Sequence, residues 1–213
     1  MLTLSFRINL ILNLKSLDWI IGLQSIIPQM AIKFSTNDYL IKHTNNSKWT
    51  NGFIAGFLDG TFLGPILAIQ SFRQMNSIIT YKECFSLLRN NYSRFFHLPL
   101  PMAMRNAVYT SFLFGAYNPV KSILFNENKK INFLDNLLIT SIVNIPAVLL
   151  CSGFDVIRAQ QITKFLENKN VNSFSIAKNI FKSNGILGFY RGIGSLYINF
   201  AFRFPLTFSM YQY

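Results

Sequence analysis

The chain has 213 residues, 51% of them hydrophobic and only 13% charged, with a mean hydropathy of +0.30. That charged share is about half of what a soluble globular domain carries. Eight acids face twenty Lys and Arg, a formal charge of +12, which suits nucleic acid until the distribution is read. The bases fall between long apolar runs, at Lys42/Lys48, Lys82/Arg89/Arg94, Lys121/Lys129/Lys130 and across residues 164–182. This is the pattern of a membrane protein with basic loops, in contact with lipid rather than nucleic acid. Cys84 and Cys151 lie too far apart to suggest a disulfide framework, and with only His43 and His97 beside them no metal site is expected.

In chain order, residues 1–16 (MLTLSFRINLILNLKS) carry Arg7 and Lys15 and no acid. The stretch can be mistaken for a targeting peptide. No clear cleavage region follows, however, and Asn9 and Asn13 interrupt its hydrophobicity, so it reads as the remnant of a structural element. Residues 19–32 are charge-free up to Lys33; 49–72 hold Asp59 alone; 95–120 hold Arg105 and His97; 196–213 hold Arg203 alone. Residues 136–154 have no charge over nineteen positions, close to the ~20 a helix needs to cross a bilayer. Five spans are therefore expected. A soluble bundle of five such helices would leave almost no polar surface for water.

A charge at membrane depth costs about 2.5–3.5 kcal/mol on insertion scales, so it normally faces a partner or a wet cavity. Asp59, Arg105, Asp155, Arg158 and Arg203 are accordingly expected to line a polar pathway inside the bundle. Snorkelling from a helix end also accounts for Arg158 and Lys33, and an interfacial anchor for Arg203; neither suits Arg105 or Asp59. Gly56 and Gly60 form a small-xxx-small pair that lets helices approach closely.

The chain also repeats itself. Phe189-Tyr190-Arg191, four to six residues after Gly185, opens a run ending in Phe208-Ser209-Met210-Tyr211. A shift of 94 residues places Asn91 under Gly185, Phe95-Phe96-His97 under that triplet, Arg105 under Asn199, Phe114 under Phe208 and Tyr117 under Tyr211. Pro28, Ala31 and Phe34 keep the spacing of Val108, Ser111 and Phe114.

With Gly188-Phe189-Tyr190-Arg191-Gly192, Phe154-Asp155-Val156-Ile157-Arg158 and Pro28-x-x-Ala31-x-x-Phe34, residues 18 to 213 resemble the mitochondrial carrier family. The resemblance implies an all-α membrane bundle of pseudo-threefold repeats, each with two transmembrane helices and a short surface helix between them. About five of the six helices are expected here. Residues 1–46 would be the remnant of a first repeat, with its second helix near 18–42. Residues 47–127 would form the second (helices near 49–74 and 98–124), and 128–213 the third (helices near 132–160 and 195–213). In that family the acid and base ending each odd helix pair with those of neighbouring odd helices and close the matrix side of a central cavity. Asp155 and Arg158 are thus expected as gate residues.

The chain departs from the family pattern in three places. The first odd helix is missing or reduced to residues 1–16. Residues 147–153 separate Asn144-Ile145-Pro146 from Phe154-Asp155-Val156, as an insertion or an inaccurate gene model would, or else Gly153 fills the proline slot. The third helix reads Ala68-Ile69-Gln70-Ser71-Phe72-Arg73, keeping the base but neither acid nor proline, with Pro65 left to supply a bend. The opposite gate is frayed as well, retaining Lys121 with Tyr117 and Asp38 with Lys42.

Arg105-Asn106 stand where carriers of this kind choose their substrate. An arginine there suits carboxylates, because its fork bonds both oxygens. The resemblance is nearest to 2-oxodicarboxylate and tricarboxylate carriers, with Lys33 and Arg203 adding positive charge and Asn199 an uncharged donor. It implies a monomer of the mitochondrial inner membrane that exchanges small anionic metabolites without cofactor, metal or catalysis. A degenerate or partial carrier without transport, and a carrier of amino acids or nucleotides, are the alternatives.

Overall fold

The structure, a computed structural model, describes residues 27–75, 86, 89, 98–125, 131–167, 169 and 172–191. Among the described residues it is all-helical. Helix α1 covers residues 27–43 and a four-residue link leads to α2, Lys48–Met75. Helix α3 is Pro99–Leu124, α4 is Phe133–Leu166, α5 is Ser173–Asn184, and a 3-10 turn follows at Ile186–Tyr190.

Local chemistry explains the ends. Pro99 and Pro101 sit in the first turn of α3, where their missing N–H groups cost nothing. Asn132 and Asp135 close a reciprocal capping box at the start of α4. The Asn172 side chain accepts the Phe174 N–H at 3.0 Å to begin α5. Gly185 ends it at φ +62°, a conformation that side chains other than glycine's resist.

Helices α2 and α3 run antiparallel and almost touch. A β-carbon at Gly52 would lie 2.6 Å from the Thr110 carbonyl oxygen, and one at Gly56 or Gly60 would overlap the backbone of Asn106 or Ala103. At Gly64 it would come within 2.8 Å of the Pro99 side chain. The glycine pair seen in the sequence is thus half of a four-glycine stripe. At its upper end Gly115 accommodates the Trp49 indole, which also meets Phe112 edge-on at 5.0 Å.

Helix α4 packs on the other side of α3 through Tyr109, Leu113, Phe114 and Tyr117 against Ile139, Val143, Ala147, Val148 and Cys151, with Met30 and Phe34 of α1 at the edge. Phe34 and Phe114, which hold the same place in the repeat, meet edge-on at 5.9 Å. Residues 147–153 do not bulge: α4 runs through them unbroken and buries Ala147, Val148 and Cys151. Seven residues make two helical turns and rotate the faces by only about 20°, so the side facing α3 stays the same above and below them. Pro146 lies inside the helix, and Gly153 one heptad on faces Phe189 of the 3-10 turn.

The distribution of polarity is inverted. Phe53, Ile54, Phe57, Phe62 and Ile66 of α2 are exposed, as are Leu134, Leu138, Ile142, Ile145, Leu149 and Leu150 of α4. Asp59, Arg105, Asn106, Asn136, Thr140 and Asn144 are buried. Lys48–Ile69 and Phe133–Phe165 are the stretches long and apolar enough, among the described residues, to cross a membrane. Helix α3, at 26 residues, has the length as well, but Arg105, Asn106, Asn118 and Lys121 dilute its apolarity. Helix α5 is a surface helix that buries Ile176 and Ile180 and exposes Phe174 and Phe181.

Replacing Gly56 or Gly60 by leucine should push α2 off α3. Overpacking of a close-packed contact costs about 1–3 kcal/mol or more. For a chain of this size that lowers the midpoint of thermal unfolding in detergent by several degrees. Leucine at the solvent-facing Lys182 serves as the unaffected control.

Candidate functional site: a buried chain of charges across four helices

The close approach of α2 and α3 brings Asp59 and Asn106 together. The Asn106 amide nitrogen donates to Asp59 Oδ2 at 2.7 Å, and Lys33 Nζ of α1 lies 3.2 Å from the same oxygen. Asp59 is wholly inaccessible and the Lys33 side chain 5% exposed. The Asn106 carbonyl oxygen accepts from the Arg105 guanidinium at 2.8 Å, and Arg105 Nε faces both carboxylate oxygens of Asp155 on α4 at 3.2 Å. The result is one continuous path, Lys33–Asp59–Asn106–Arg105–Asp155, from α1 to α4. Asp59 accepts only, so it sets which end of the Asn106 amide turns toward it and which toward the guanidinium.

Around this path the interior remains polar. Arg105 stacks over the Tyr109 ring at 5.9 Å, and its carbonyl oxygen accepts from Cys151 Sγ at 3.3 Å. Tyr109 donates to Asn144 Oδ1 at 2.7 Å, and Tyr117, two turns further along α3, donates to Asn136 Oδ1. Buried Gln29, Lys33 and Asn37 recur every four residues on α1, as do Asn136, Thr140 and Asn144 on α4.

The structure brings Lys33, Arg105, Asn106 and Asp155 into one network and changes the expected pairings. Among the described residues Asp155 holds Arg105 of α3, the residue expected to take the substrate; the side chains of the bases expected to meet it from neighbouring odd helices lie outside the described residues. Arg158 does reach across to α2, but onto neutral acceptors, the Leu67 carbonyl at 3.0 Å and the Ser71 hydroxyl at 2.5 Å. The reason is local: the acid position of α2 is Gln70, so no carboxylate stands there for Arg158. Lys33, expected to add positive charge, is neutralised by Asp59.

Lys121 and Asp38 are half-buried and belong to a different level. Sixteen residues of helix separate Lys121 from Arg105, about 24 Å at 1.5 Å per residue. Arg73 lies in the last turn of α2, and its side chain is outside the described residues, as are Asn199 and Arg203. Asp59 was visible in the sequence as an inward charge without an assigned role; it turns out to be the junction. Tyr109, Asn136, Asn144 and Ser71 are not singled out by the sequence as site residues, and Tyr117 stands out there only as the aromatic beside Lys121. A fourfold polar recurrence within an apolar helix is the signal that finds Gln29–Lys33–Asn37 and Asn136–Thr140–Asn144.

Comparison with protein families matches residues 129–213 to the model described as mitochondrial carrier protein. The match covers less than half of the chain: α4, α5, the 3-10 turn and the residues beyond. It supports the carrier-like reading of the helical bundle, and the carriers are transporters rather than enzymes. No curated protein and no solved structure matches the chain.

Asp59→Leu should be strongly destabilising, because it leaves Lys33 buried without its acid, a loss of about 3–5 kcal/mol. Lys33→Met combined with Asp59→Leu should recover most of that loss. Thermal unfolding of the four proteins in detergent gives the coupling as a double-mutant cycle.

Proposed function

We propose that the chain is a mitochondrial inner-membrane carrier that moves small carboxylates by counter-exchange through alternating access. The observation that carries this reading is Arg105, a guanidinium buried within the bundle whose bonding partner is already a carboxylate. A group that stabilises Asp155 there is chemically suited to a cargo carboxylate, since the two present the same oxygens. The charge count supports it as well. Lys33 and Arg105 balance Asp59 and Asp155 along the path, and Arg158 beside it adds one positive charge without an acid of its own among the described contacts, which suits an anionic cargo.

The match over residues 129–213 supports transport and the mitochondrial inner membrane. Within carboxylates, Arg105-Asn106 and the residues around them favour 2-oxodicarboxylates such as 2-oxoadipate and 2-oxoglutarate. In this reading Asn106 and Lys33 shape the site, Asn199 and Arg203 contribute from the last helix, and Asp155, Arg158 and Arg73 close one side. Lys121 and Asp38 close the other, some four turns away. The protein works as a monomer surrounded by lipid and needs no cofactor.

Reconstituted vesicles loaded with unlabelled 2-oxoglutarate should take up labelled 2-oxoglutarate or 2-oxoadipate, and Arg105→Ala should reduce this at least a hundredfold. Absence of uptake by the wild-type chain, with the protein folded and inserted, would leave the reading as a structural, non-transporting member. Preference for an amino acid or a nucleotide in competition assays would move it to another cargo class.

A further inference from the structure

We propose that Asp155 is the chain's own stand-in for cargo: an internal carboxylate that occupies Arg105 when the site is empty and must leave when a substrate carboxylate arrives. The inference rests on the carboxylate-carrier reading above and specifies how that site is regulated.

Three observations carry it. The first is the quality of the bond. Arg105 Nε faces Asp155 Oδ1 and Oδ2 at 3.2 Å each, whereas charge-assisted N–H···O⁻ bonds run at about 2.7–2.9 Å. The hold is long, and a carboxylate free to align with the guanidinium fork improves on it. The second is access. The Arg105 side chain is 8% exposed and that of Asp155 16%, and Asp155 sits about 33 Å along α4 from Phe133, near the limit of a ~30 Å hydrocarbon core. Asp155 is the partner with somewhere to go. Arg105 is fixed, stacked over Tyr109 and bonded to Asn106, which Asp59 orients in turn.

The third is what waits for Asp155. Arg158 is three residues further on the same helix, within side-chain reach, and its guanidinium rests on two uncharged acceptors of α2. A displaced Asp155 carboxylate turns to that guanidinium and draws it from Leu67 and Ser71. Among the described residues these are the side-chain hydrogen bonds from α4 to α2. Occupation of Arg105 is thereby translated into release of α4 from α2, and departure of cargo restores both. Arg105 is never left without an anion, so the empty site avoids the cost of a bare buried charge.

The full-length chain in phosphatidylcholine vesicles provides the test, with labelled 2-oxoglutarate as the probe. Removing the competitor by Asp155→Asn should lower KM about tenfold and reduce the maximal rate, while Asp155→Glu, which keeps the charge, should stay within about twofold of wild type in KM. An unchanged or raised KM for a folded Asp155→Asn overturns the proposal. A second measurement uses the wild-type protein and so does not depend on the variant folding. Modification of Asp155 by a hydrophobic carbodiimide, read by mass spectrometry, should rise severalfold when 2-oxoglutarate is added. Protection or no change counts against the swap. Uptake that depends on Arg105 but shows neither effect removes this inference alone, whereas no uptake by wild type removes the carboxylate reading and the inference with it.

Discussion

A carboxylate and an ammonium sealed inside an oily bundle constrain everything else in this chain. Asp59 and Lys33 have no water to turn to, and a buried pair of this kind gains little net stability, although breaking it is costly. It works as a specification. With Asp59 in the middle of α2, only a neighbour that offers donors can pack there. Asn106 and Lys33 are those donors, so α1, α2 and α3 have one register that satisfies them all. The glycines of α2 serve the same end, because hydrogen bonding across the interface at 2.7 Å requires backbones closer than ordinary side chains allow.

From that junction the chemistry runs outward through Asn106 to Arg105 and Asp155. Each link has one acceptor-only or donor-only end, and the amide between them has both. This order makes the arrangement directional: Asp59 turns the amide, the amide holds the guanidinium, and the guanidinium holds a carboxylate. The first three members are deeply enclosed and the last is not. On the proposed reading, such a site keeps its cation fixed while the anion exchanges.

Helix α4 shows how a departure in sequence is absorbed by helical geometry. Residues 147–153 interrupt the expected spacing between Pro146 and Phe154, yet the seven residues continue the helix as two turns. Ala147, Val148 and Cys151 complete the core against α3, while Leu149 and Leu150 look outward. Read as an insertion, a heptad would move Asp155 and Arg158 along the axis while turning them by only about 20°. That position places Asp155 at Arg105 and Arg158 beside Leu67 and Ser71.

The amino-acid sequence on its own determined the all-helical, membrane-adapted class, because apolar runs with one charge apiece permit little else once water is the alternative. It also marked Asp59, Arg105 and Asp155 as inward-facing, since lipid penalises a charge by several kcal/mol wherever the helix goes. Partnership was different. That Asp155 reaches Arg105 depends on axial offsets of a few ångströms between α3 and α4, which periodicity does not encode. Only the tertiary structure decided it, along with the roles of Tyr109, Tyr117, Asn136 and Asn144. Their polar atoms are ordinary in isolation, and they become a lined interior only when α3 and α4 are laid antiparallel with Tyr109 opposite Asn144 and Tyr117 opposite Asn136.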